Sequence, residues 1–179
     1  VGTGGFGTGS ELVVLGWDPA DIHSINFWEE LGDVSWSSGG TIDTGTFTAK
    51  KYLWVQAWWK GNAGTYVRVN SDSGNNYANR NSNNGGADGT AVSTSGLTTN
   101  FGFDTLPHFM NMFIVNGSAN EKLCVFNIVA QNTAGASTAP TRSEFVSKWV
   151  TTGSQITSLQ LVTASGNYTG GQIKVWGAN

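Results

Sequence analysis

Charge is what this sequence has least of. Of its 179 residues only 12% are Asp, Glu, Lys or Arg, and the formal net charge is −3. That is roughly half the usual charged share. No basic cluster occurs, so the chain has no electrostatic footprint for nucleic acid. Cys124 is the single cysteine, which excludes an intramolecular disulfide. One Cys and two His cannot build a zinc set. Cys124 lies in the apolar run Leu123-Cys-Val-Phe and reads as a small buried core residue. No apolar run approaches the ~20 residues of a membrane-spanning helix, so no membrane contact is expected. The sequence opens at Val1 with glycine-rich sequence and neither an initiator Met nor a signal peptide, as expected of a processed chain or a fragment.

Groups that titrate or attack are equally sparse. His23 and His108 are the only imidazoles and neither sits in a motif. There is no Gly-x-Ser-x-Gly elbow and no phosphate loop. Gly2-Thr-Gly-Gly-Phe-Gly is not a dinucleotide fingerprint, because its strand follows the glycines and no helix comes after. Glu29 and Glu30 are adjacent and would face opposite sides of a strand. Asp33, Asp43, Glu121 and Glu144 complete an ordinary list of carboxylates. No catalytic residue, cofactor or metal site is expected. Asp72, Asn75, Asn76 and Asp88 share one polar stretch that could offer oxygens to calcium, but the spacing fits no EF-hand and Asx-turn chemistry accounts for it.

What the sequence does have is β structure. It carries 25 Gly and 8 Trp, with abundant Thr and Val, in short segments punctuated by Gly, Asn, Ser and Asp. Strands are expected near 11–16, 24–31, 34–37, 46–48, 51–60, 65–70, 76–81, 97–103, 109–116, 122–131, 142–150, 155–163 and 171–177. Several alternate with period two. Phe145, Ser147 and Trp149 take one face of their strand, and Glu144, Val146 and Lys148 take the other. Residues 70–89 read as a long exposed loop, with a turn signal at Asn83-Asn84-Gly85-Gly86. The expected fold is an all-β antiparallel sandwich of jelly-roll type with about eight main strands. Phe145, Trp149, Val125, Val175 and Ile173 are expected in its core.

The ending of the chain occurs twice. Residues 166–179 and 4–18 share an aromatic, a glycine-rich turn, a short strand and a closing Gly. Phe6 aligns with Tyr168, Leu12 with Ile173, Val14 with Val175 and Gly16 with Gly177. The N-terminal segment thus copies the C-terminal strand, as in head-to-tail repeats. Residues 1–18 read as an arm or as the end of a preceding repeat, and 19–179 as the sandwich domain. Leu12, Val13, Val14 and Leu15 are apolar on both faces, so this strand is expected to add to a sheet of its own or a neighbouring subunit.

A second aromatic strand stands at Leu53-Trp-Val-Gln-Ala-Trp-Trp59. Trp54 and Trp58 share a face with Tyr52, and Trp59 joins Leu53, Val55 and Ala57 on the other. Both faces are apolar, as in a central strand with one side in the core and the other against a second layer or a neighbouring subunit. Trp58 or Trp59 is therefore expected in a subunit contact or under a covering loop. The alternative is an aromatic platform that stacks on sugar rings.

Three further phrases carry a resemblance: 132–149, which runs from Asn-Thr-Ala-Gly-Ala to Phe-Val-Ser-Lys-Trp; Gln155-Ile-Thr-Ser-Leu-Gln160; and Gly166-Asn-Tyr-Thr-Gly-Gly-Gln-Ile-Lys-Val-Trp-Gly177. Phe27-Trp-Glu-Glu-Leu31 and Phe47-Thr-Ala-Lys-Lys-Tyr-Leu53 belong to the same pattern. Over most of residues 24–179 the chain resembles the tailed-virus (phage-like) virion-surface β-sandwich proteins of tail-fibre, head-fibre or capsid-decoration type. The resemblance implies a non-enzymatic structural protein on a virion surface, outside the cell. It would act through a homo-oligomer or other virion proteins, and a host glycan is a possible further partner. A carbohydrate- or receptor-binding module and an extracellular filament subunit with strand exchange are the alternatives.

Overall fold

The computed structural model describes residues 27–61, 64–99, 104–131 and 133–179. The strand copy at 11–16, with Leu12, Val13, Val14 and Leu15, lies outside the described residues, as does the proposed boundary at residue 18. The described residues form twelve strands and no helix: β1 (Glu29–Trp36), β2 (Thr41–Asp43), β3 (Tyr52–Gly61), β4 (Thr65–Val69), β5 (Tyr77–Asn83), β6 (Gly89–Thr94), β7 (Leu97–Thr98), β8 (Asp104–Val115), β9 (Lys122–Ala130), β10 (Thr141–Trp149), β11 (Leu159–Thr163) and β12 (Tyr168–Ala178).

They pair antiparallel into an unequal sandwich. One sheet has eight strands in the order β1-β12-β3-β8-β9-β10-β5-β6, and the other has four in the order β2-β11-β4-β7. The small sheet places Ile42, Leu161, Val67 and Leu97 in one row of register partners, all buried. Opposite them, the large sheet turns inward Leu53, Val55 and Ala57 of β3, Met110, Met112 and Ile114 of β8, and Cys124, Phe126 and Ile128 of β9. Phe145, Trp149, Ile173 and Val175 are in this core as the sequence implied. Phe126 and Phe145 are register partners whose rings stack 4.4 Å apart. Burial pushes the Cys124 thiol up to about 12, so it is an inert core group.

Several expectations need correction. The strands expected near 24–31 and 34–37 meet in one strand, β1, over Glu29–Trp36, which a bulge between Glu30 and Gly32 kinks where Leu31 turns towards the core; residues 24–26 lie outside the described residues. Residues 46–48 form no strand; Phe47 is buried as a plug whose N–H donates to the Thr157 carbonyl at 2.8 Å. The supposed loop at 70–89 is largely the β5–β6 hairpin. Its turn does fall at Asn84 and Gly85, which have φ of 50° and 75°. The strand expected at 76–81 is β5; the one the sequence did not signal is β6, whose Gly, Thr, Ala, Val and Ser residues carry no apolar alternation. Val125, expected in the core, is 53% exposed, because Cys124 and Phe126 take the inward positions of β9.

Near one end of β12 the fold depends on an absent side chain. Trp36 lies across Gly171, so a Cβ there would collide with the indole and with the Trp58 carbonyl. Gly171→Ala is expected to destabilise the domain by about 1–3 kcal/mol in denaturant unfolding. Unchanged stability would mean that Trp36 can leave this position without loss.

Candidate interaction face

Four strands cannot cover eight on both sides. Among the described residues the inner face of the large sheet is covered, and its outer face is not. Eleven large apolar side chains are exposed among the described residues. Ten of them, from Tyr52 to Val146, project from this one face, and the eleventh, Phe27, stands beside it. The outside of the small sheet is different in kind: its central row is Asp43, Gln160 and Arg68, with Gln160 Nε2 donating to Asp43 at 2.6 Å.

Strand register sorts the outer face into bands running across the strands. One band is Trp176, Trp54, Phe113, Val125 and Val146, bounded by Glu30 at one end and Arg80 at the other. The next is wholly polar: Asp33, Lys174, Gln56, Asn111, Asn127, Glu144 and Ser82. A second apolar band follows, with Trp58, Phe109 and Val129 between Gln172 and Arg142. On the other side of the first band lie Tyr52, Val115 and Leu123.

The aromatics of the first band close on one another. Trp54 and Phe113 are near-parallel at 5.9 Å, and Trp54 meets Trp176 at 4.8 Å. Trp54 Nε1 donates to Asn111 Oδ1 at 2.6 Å, which ties the apolar band to the polar one. Trp28 stands over the sheet against Trp54 and Phe113. Next to it an open hollow of about 530 Å³ is walled by Tyr52, Val115, Leu123 and Val125. In the polar band, Lys174 bonds Asp33 at 2.8 Å. That contact holds the Asp33 carboxyl below its ordinary value and raises Lys174.

Of the two tryptophans singled out by sequence, Trp58 is on this face at 41% exposure. Trp59 is not, at 1%; it stacks in the core on the His108 ring at 5.3 Å. Trp59 is thus a packing residue and not an assembly residue. The remaining outer-face residues were missed because β8 and β9 are apolar on both faces, and a run such as Leu123-Cys-Val-Phe does not say which face is covered.

The other candidate chemistry disperses. Asp88 pairs with Arg80 at 3.2 Å on the β5–β6 hairpin. Asp72 accepts from the Trp149 indole at 2.7 Å, from Asn76 at 2.9 Å and from the Gly74 N–H at 2.8 Å. The stretch 70–89 therefore does not gather its two carboxylates into a calcium site. Among the described residues no three His, Cys, Asp or Glu side chains come together to hold a metal. Glu29 pairs with Lys50, Glu121 with Lys148 and Glu144 with Arg142. Asp33 and Glu144 share the polar band but are five strands apart, about 24 Å at ~4.8 Å per strand, too far for paired acid–base work. Lys122 is fully buried, donates to the Asn120 and Thr151 carbonyls at 2.6 and 2.9 Å, and packs over the Trp149 ring. Burial lowers its pKa.

Asp72 has a pH signature. Burial acts to raise its pKa, but the hydrogen bonds from Trp149, Asn76 and Gly74 outweigh this and hold it below 3.8. A depressed carboxyl stabilises the fold above its unfolded value, and that contribution is lost as pH falls through the folded value. Asp72→Ala is expected to cost about 1–3 kcal/mol near neutral pH, because the Trp149 indole loses its acceptor. The difference from the parent should shrink as pH falls below 3.8. A difference independent of pH would contradict the assignment.

No family model matches the chain, and neither a curated protein nor a solved structure matches it.

Proposed function

We propose that this is a non-enzymatic structural protein that works by assembly, with the outer face of the eight-stranded sheet as its contact surface. The carrying observation is the concentration of ten exposed large apolar side chains on that single face. Monomeric soluble proteins rarely expose an apolar patch beyond a few hundred Å². Placement on a virion surface, as a capsid-decoration or fibre domain, rests on the resemblance in residues 24–179.

Val125→Asp in the full chain is the direct test, because Val125 lies mid-band and is half exposed. The variant is expected to keep its far-UV circular dichroism and to lose assembly in sedimentation. Assembly that survives the substitution would remove this face from the contact.

One observation favours a carbohydrate-binding reading. Trp58 and Phe109 are exposed neighbours, with the amides of Gln56, Asn111 and Gln172 beside them. Against it, Trp54, Phe113 and Trp176 pack on each other's rings instead of presenting an open platform. On the assembly reading a glycan array is expected to show no binding. Millimolar or tighter binding that disappears in Trp58→Ala would replace assembly with sugar recognition.

A further inference from the structure

We infer that the occupant of this face is a second copy of the same chain, packed face to face about a two-fold axis running along β8. The inference rests on the assembly reading above and names its partner.

The bands make the case. A two-fold axis along a strand sets each band against itself with the strand order reversed. With β8 on the axis, β3 faces β9 of the other copy, β12 faces β10, and β1 faces β5. In the polar band, Lys174 then meets the other copy's Glu144, and Gln56 meets Asn127. In the aromatic band, Glu30 meets Arg80, while Trp54 and Trp176 meet Val125 and Val146. In the aromatic band apolar groups face apolar groups and the rim charges Glu30 and Arg80 face the opposite sign; at the edges of the other bands Asp33 faces Ser82, Gln172 faces Arg142 and Ala178 faces Lys148, with no like charges opposed. Each contact occurs twice.

Other placements lose this match. Moving the axis one strand to β9 sets Arg80 on Trp54, and moving it to β3 sets Glu30 on Val125. Turning it across the strands along the polar band sets Glu144 on Glu144 and Lys174 on Lys174. Like charges placed together cost affinity, and apolar residues placed against charge leave that charge desolvated.

Shape agrees with charge. Trp28 rises over the β3–β8 side of the axis, and the open hollow extends towards β9 beside Leu123 and Val125. The two-fold brings the Trp28 knob of each copy to the hollow of the other. The four bands over seven strands span about 20 Å by 29 Å, or roughly 600 Å² of flat area. Side-chain relief brings that towards the ~800 Å² per partner of a stable interface. Two aligned sheets pack about 10 Å apart, within reach of a Lys and a Glu side chain extended from either side.

The test uses paired charge reversals in the full chain, read by sedimentation equilibrium. K174E and E144K are each expected to weaken the dimer about ten-fold, because each homodimer now holds two repulsive pairs. An equimolar mixture of the two is expected to return to within about three-fold of the parent, since every facing pair in the heterodimer is again of opposite sign. E30R and R80E repeat the experiment at the rim, so that loss of the Lys174–Asp33 bond in one variant does not decide the result. A dimer that ignores all four reversals, or mixtures as weak as their parents, overturns the two-fold about β8 and leaves the assembly reading standing. A chain that stays monomeric up to millimolar concentration with its outer face reactive to hydroxyl radicals overturns both. A monomer whose outer face is protected assigns the face to residues 1–26 of the same chain and overturns the second copy.

Discussion

A β-sheet has two faces, and the described residues supply a second layer for only one of them. Everything else in the molecule follows from how the period-two alternation is used on the two sides of eight strands. Inward positions carry Leu, Ile, Val, Met and Phe against a four-stranded cover. Outward positions carry Trp, Phe and Val in bands separated by amides and ion pairs. A sheet facing water on one side ordinarily shows polar residues there. The small sheet does so, and the large one does not, and that difference within one molecule points to a covered face.

The closed side is held at its ends by polar side chains that do the work of backbone. Asn70 accepts from the Thr157 and Ser158 N–H groups through Oδ1 and donates to the Gln155 carbonyl. Asn116 accepts from the Ile156 N–H and donates to the carbonyls of Lys50 and Ile156. The two amides pin the segment before β11 between the sheets. The Tyr77 hydroxyl accepts from the Val69 N–H and donates to the Asp72 carbonyl, and burial pushes it up to about 12. Rigid ends of this kind keep the rows in register across the sheet, and the register creates the bands.

The sandwich and its main core strands were legible in the sequence. Alternation in Glu144–Trp149 assigned the faces of β10, and the aromatic strand divided Trp58 from Trp59 by parity alone. Alternation fails where both faces are apolar, as at Leu123–Phe126, and Val125 was placed inside for that reason. It is also silent at β6, Gly89–Thr94, whose small and polar residues carry no apolar alternation. The interaction face could not be seen from any single segment. It arises from the lateral order of β12, β3, β8, β9 and β10, which brings together residues distant in the chain, such as Lys174 and Gln56.

The central claim is that the outer face of the large sheet is buried in the assembled protein. Hydroxyl-radical footprinting of the full chain across a concentration series tests it most directly. The account predicts that Trp58, Phe109 and Phe113 become protected together as the protein assembles, while Tyr66 on the small sheet keeps its reactivity. Assembly that proceeds with those three side chains as reactive as in the dilute chain would contradict it.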